Sequence, residues 1–148
     1  MKNSLSDLEK LITKNLQSSN SLKNELESKE LEKHDLLKSI SLGIIDTLDS
    51  FESIEESFIE KGLDKNEESK KIINRYKTVQ KKLVNLLQKN GISQVEFPDK
   101  RLIVGLCEVI ETEPDSNRKN DEIISVVRNG YIRGNELIRA AQIIIVKN

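Results

Sequence analysis

Residues 5–42 read LSDLEKLITKNLQSSNSLKNELESKELEKHDLLKSISL, a run without one glycine, proline, Phe, Tyr or Trp. Apolar side chains recur through it at Leu5, Leu8, Ile12 and Leu16, then Leu22 and Leu26, then Leu31, mostly at helical steps of three or four. Beyond it the same spacing continues through Leu37, Ile40, Ile44, Leu48, Phe51 and Phe58, so the stretch from Leu5 to about Lys61 is expected to be one helix. Leu5 and Leu16, Leu11 and Leu22, and Leu26 and Leu37 stand eleven apart. That period fits better than a strict heptad, whose seam would have to admit Asn15, Ser19, Lys29 and Lys33. The apolar stripe is thin. Seven lysines and seven acids within residues 1–42 supply wet faces, with pairs such as Glu25 to Lys29, Glu30 to His34 and Asp35 to Lys38.

Length then bears on assembly. A helix over residues 5–61 would be about 85 Å long at 1.5 Å per residue. A compact chain of 148 residues has a radius of gyration of about 15 Å. Such a helix outruns any globule the chain could make, and its leucine stripe needs a partner helix, so a homodimer is expected. Gly43 is the weak point of the helix.

Composition narrows the possible functions. Three Phe, two Tyr and no Trp leave a core to be built from Ile, Leu and Val, which disfavours a sheet-rich fold throughout. With 24 Lys and Arg against 25 Asp and Glu, the net charge of −1 offers no basic footprint for nucleic acid. One cysteine, Cys107, and one histidine, His34, make neither an internal disulfide nor a Cys/His metal site, and no cofactor or metal is expected. No apolar run suits a signal core or a membrane span, so the reading is cytoplasmic, with no membrane partner. No Gly-rich phosphate loop, metal cluster or nucleophile elbow occurs, and an enzyme is the poorest class.

The remainder divides in two. Gly62 should end the first helix, and Asp64-Lys65-Asn66-Glu67 reads as a capping box opening a second one. Ile72, Tyr76, Val79, Leu83 and Leu86 form its stripe, and Asn90-Gly91 its stop. After Gly91 the period changes: Arg101–Ile110, Glu122–Val127 and Leu137–Val146 read as strands, with turn chemistry at Asn129-Gly130-Tyr131 and Gly134-Asn135. The fold class is α+β. A stalk helix over 1–42 and a helical region over 43–92, whose hairpin would pair with another into a dimeric four-helix bundle, precede an all-β wing over 93–148.

The segment Asn129-Gly130-Tyr131-Ile132-Arg133-Gly134-Asn135-Glu136-Leu137-Ile138-Arg139-Ala140-Ala141, continuing to Val146, resembles the C-terminal signature of GrpE, the nucleotide exchange factor of DnaK-type chaperones. Leu48-Asp49-Ser50-Phe51-Glu52 and Leu83–Ile92 are similar to two further family segments in the same order. The resemblance covers roughly residues 40–148. It implies a homodimer with a paired-helix stalk, a short four-helix bundle and a β-wing that grips the chaperone's ATPase domain, opens its nucleotide cleft and releases ADP, a stress-response co-chaperone without catalysis of its own. Two departures stand out. Glu136 replaces an arginine usual three residues before the Arg139 position, and Leu102-Ile103-Val104 follows Phe97-Pro98-Asp99 where the family carries a histidine region.

On this basis Tyr131, Arg133, Asn135, Glu136 and Arg139 are the candidate chaperone contacts. Leu37, Ile40, Ile44, Leu48, Phe51, Tyr76, Val79 and Leu83 are the candidate dimer contacts. Arg133 and Asn135, at a turn tip, are the better contact candidates. Tyr131 is either a corner anchor or part of the face, and Arg139 either holds a carboxylate or touches the partner, with the resemblance favouring support. His34 reads as a solvated surface residue and Cys107 as a small buried hydrophobe. The alternative to an exchange factor is a coiled-coil adaptor whose wing docks an unrelated partner.

Overall fold

The computed structural model describes residues 2–148, with side chains from Ser4 onward. Two helices come first: α1 spans Lys2–Glu60 without interruption, and α2 spans Glu67–Lys89. Gly43 sits inside α1 with open space where a Cβ would be. Gly62, in the left-handed conformation at φ 65°, stops α1 just beyond Glu60 and leads into a 3-10 turn over Leu63–Lys65. The cap of α2 differs from the expected box. Asp64 lies inside the 3-10 turn, and Asn66 is the N-cap, its side chain accepting from the Glu68 N–H at 3.0 Å. The stop falls as read: Asn90 caps the end and Gly91 follows at φ 76°.

The chain forms two compact units, residues 1–40 and 41–148. The described residues of the first are helix alone. Its leucines at positions 5, 8, 11, 16, 22 and 26 are all more than half exposed. Glu25 and Lys29 pair at 3.4 Å, and half-exposed His34 has Nδ1 3.4 Å from the Asp35 carboxylate.

In the second unit α2 runs back along the end of α1. The Phe51 and Tyr76 rings meet at 5.0 Å between centroids, tilted by 46°, the Tyr76 hydroxyl donates to the Phe51 carbonyl, and Lys77 pairs with Glu55 at 2.6 Å. Six strands follow: β1 (Ile92–Gln94), β2 (Cys107–Glu113), β3 (Ile123–Arg128), β4 (Tyr131–Arg133), β5 (Glu136–Arg139) and β6 (Ala141–Val146). They make two three-stranded sheets, β1-β4-β5 and β2-β6-β3, the second mixed because β2 runs parallel to β6 and β3 antiparallel to it.

Two expected strands are recut, and one expected turn residue becomes part of a strand. The run from Arg101 breaks at a turn closed by Leu106 N–H to Ile103 O, with Gly105 at φ 86°, so β2 begins only at Cys107. It then continues past Ile110 to Glu113, because pairing with β6 through Val146 extends it beyond the apolar residues. The run Leu137–Val146 divides at Ala140, where the chain leaves one sheet for the other. Tyr131, read as part of a turn, opens β4 instead, and the short β1 pairs with it antiparallel.

Two clusters hold the unit together. One joins Ile45 and Leu48 of α1, Leu87 of α2, Ile92, Tyr131 and Ile138; the other joins Ile123, Ala141, Ile143 and Ile145. Each fully buried Ile or Leu contributes about 1.5–3 kcal/mol. Half-buried Cys107 packs against the second cluster, its thiol donating to the Ile103 carbonyl. Gly130 belongs to the segment that crosses between the sheets. Its Cβ position lies 2.6 Å from the backbone N of Ala141, so only glycine allows these two segments of the chain to approach this closely.

Candidate functional site

The five candidate contacts lie on one hairpin, β4–β5, whose register pairs Arg133 with Glu136, Ile132 with Leu137 and Tyr131 with Arg139. Its connection is Gly134-Asn135. Gly134 takes φ 58° as the first central residue, a conformation that glycine supplies without steric cost. The tip is polar: Asn135 is exposed, and Arg133 and Glu136 are half-buried opposite each other.

The far end of the hairpin faces inward. Tyr131 is 5% exposed within the first core cluster, so its ring anchors the wing rather than forming an outer face. Burial and the nearby Glu52 carboxylate push its hydroxyl pKa up. The Arg139 guanidinium stands 5.5 Å over this ring. It grips Asp49 of α1 with two bonds, Nη1 to Oδ2 and Nη2 to Oδ1, both 2.7 Å. Nε and Nη2 also donate to the Asn129 carbonyl at 3.1 and 2.8 Å. Of the two readings of Arg139, the structure supports the one in which it holds a carboxylate.

Two residues missed by sequence reasoning complete this clasp. Arg128, the last residue of β3, donates from Nε to Asp49 at 2.8 Å and from Nη2 to Asp46 at 2.9 Å. Asn129 donates to Glu52 at 2.9 Å. Burial pushes the Asp49 pKa up, but hydrogen bonds and charge from Arg139 and Arg128 outweigh it and hold the carboxyl below its ordinary 3.8. Glu52 goes the other way, raised by burial and by the neighbouring Asp49 charge. The signal available beforehand was the i, i+3 spacing of Asp46, Asp49 and Glu52, which puts three acids on one face of α1.

The expected dimer contacts also separate. Leu48 is 2% exposed in the chain's own core, with Ile44, Phe51 and Leu83 packed against that core, and Tyr76 is engaged with Phe51. Leu48 is therefore enclosed by its own chain. Leu37 is half-buried, whereas Ile40 and Val79 are exposed. Within residues 41–148, Ile54, Ile72 and Leu86 add exposed apolar surface that the sequence reading did not assign to an interface.

No group of three or more His, Cys, Asp or Glu placed to hold a metal occurs among the described residues, and no described helix is long and apolar enough to cross a membrane. The sequence pattern of the GrpE family matches residues 1–147. The chain belongs to the GrpE family. Among curated GrpE proteins, that of Francisella philomiragia is 32% identical over 68 residues, covering 46% of this chain and 36% of its own length. The protein of Francisella tularensis subsp. tularensis is 31% identical over 68 residues, covering 46% and 35%. The match thus spans little more than a third of these GrpE relatives. A long N-terminal helix, a shorter second helix and a small β region agree with a GrpE fold.

Proposed function

We propose that the chain is a co-chaperone that binds the ATPase domain of a DnaK-type chaperone and speeds ADP release. The observation that carries this reading is membership of the GrpE family over residues 1–147. The hairpin built from the signature segment supports it by presenting a polar tip at Arg133, Asn135 and Glu136, outside the core. The mechanism is a population shift. The factor binds the open, nucleotide-free cleft more tightly than the closed ADP form, and linkage requires ADP to weaken the factor's binding in return. No bond is made or broken, so the protein needs no catalytic group or cofactor.

The active species is a homodimer in the cytoplasm. Support comes from the exposed leucines of residues 1–40 and from Ile54, Ile72, Val79 and Leu86, which would remain in water without a second chain. Glu136 gives this member a carboxylate where the family usually has an arginine, so the matching surface of its chaperone is expected to differ in charge.

The test is to load the host's DnaK-type chaperone with labelled ADP, add the protein, and follow release by stopped flow. Acceleration is expected, and Arg133→Ala should weaken chaperone binding with the dimer intact. Failure to accelerate release from any DnaK-type chaperone of the host would overturn the reading in favour of an adaptor with an unrelated partner.

A further inference from the structure

Both sheets of the wing end on the same carboxylate. Arg128 is the last residue of β3 in one sheet, Arg139 the last of β5 in the other, and each immediately precedes a segment where the chain changes sheets. Asp49 receives all three of the shortest bonds, at 2.7, 2.7 and 2.8 Å, and its side chain is 23% exposed. Asp46, 63% exposed, takes only the outer contacts at 2.9 and 3.3 Å. Through Arg139 the same carboxylate is also coupled to the Asn129 carbonyl at the crossover.

We propose that Asp49 is a positioning residue: by holding one arginine from each sheet it sets a single pose of the wing against α1, and so the place at which the hairpin tip meets its partner, without touching that partner. The apolar contacts of Tyr131, Ile138 and Leu48 supply cohesion but little direction, because burial is non-directional. A planar fork on a carboxylate supplies direction. The tip lies at the opposite end of β5 from Arg139, about 10–13 Å away at strand rise. A tilt of about 10° at the clasp would therefore move the tip by about 2 Å.

The grip on the wing stands on the geometry alone, whereas its consequence for exchange rests on the function proposed above. Two measurements keep these apart. In a C107S background, spin labels at Asn135→Cys and Lys82→Cys, on a chain diluted with unlabelled protein, report the tip-to-α2 distance. A narrow distribution is expected for the parent, and one shifted or broadened by about 2 Å for Asp49→Asn with its cooperative melting retained. Arg139→Lys, which keeps the charge and loses the fork, should resemble Asp49→Asn, and Asp49→Glu should recover part of the narrow distribution. An unchanged distribution in Asp49→Asn overturns the proposal. Should that variant fail to fold, Arg128→Ala releases one sheet only and carries the same comparison.

In unlabelled protein, Asp49→Asn should lower stimulated ADP release about tenfold, equivalent to about 1.4 kcal/mol. Full release by a variant whose tip has moved overturns the link between pose and exchange. If the unaltered protein accelerates no release, the exchange reading fails while the distances still decide the grip of Asp49.

Discussion

Gly130→Ala tests the packing where the chain passes between the sheets. An added Cβ would sit 2.6 Å from Ala141 N, 3.0 Å from its Cβ and 3.1 Å from its Cα. The nearest atom is backbone, and it cannot retreat freely: Ala141 N–H donates to the Leu106 carbonyl at 3.0 Å, and Ala141 is fully buried at the start of β6. Overpacking of this kind costs about 1–3 kcal/mol, and weakening the Ala141 hydrogen bond adds about 1 kcal/mol. A loss of about 2–4 kcal/mol is expected, read from urea unfolding followed by far-ultraviolet circular dichroism with the slope unchanged. In thermal unfolding each kcal/mol corresponds to about 4 °C for a unit of this size. Adding Ala141→Gly removes the contact at 3.0 Å but not the one at 2.6 Å, so it should restore only a minor part of the stability. A loss below about 0.5 kcal/mol for Gly130→Ala, within the range of ordinary surface changes, would refute the reasoning.

Gly43→Ala should do the opposite, raising stability by about 1 kcal/mol, because the site is mid-helix with open space for a methyl group; a lower melting temperature would contradict this. Asn66→Ala should cost about 1 kcal/mol through loss of the α2 cap, while Asp64→Ala should cost clearly less, and equal losses in chemical denaturation would revive the capping box. Acid should loosen the clasp. Asp49 titrates below its ordinary 3.8 in the folded chain, so its contribution is complete above that value and is lost as pH falls through the lower folded one. Glu52, raised above 4.5, has the reverse sign, favouring the folded chain as it protonates. Asp49→Asn should accordingly flatten the fall in stability below about pH 4, and an unaltered acid limb in pH-dependent melting would count against the ion pairs. A dimer held through the exposed leucines should show a melting temperature that rises with protein concentration, which calorimetry at two concentrations decides.

The sequence by itself determined the helices, their order and the family. Runs nearly free of glycine and proline with apolar residues every three or four positions have few alternatives to a helix, and Gly62 and Gly91 mark the C-terminal ends of the two helices through a backbone conformation that other residues adopt only at a cost. Of the hairpin Tyr131–Arg139 only the Gly134-Asn135 turn and the apolar run from Leu137 were legible, for the same local reason, while β4 was read as turn. Only the tertiary structure decided what the wing's arginines do. Asp49 and Arg139 are 90 positions apart, and nothing in either segment shows that the second lands on the first. The sheet change at Ala140, the late start of β2 and the enclosure of Tyr131 and Leu48 likewise depend on long-range pairing and packing, which local periodicity does not encode. For Tyr131 and Arg139, each left with two readings by the sequence, that packing encloses the ring in the core and sets the guanidinium on Asp49.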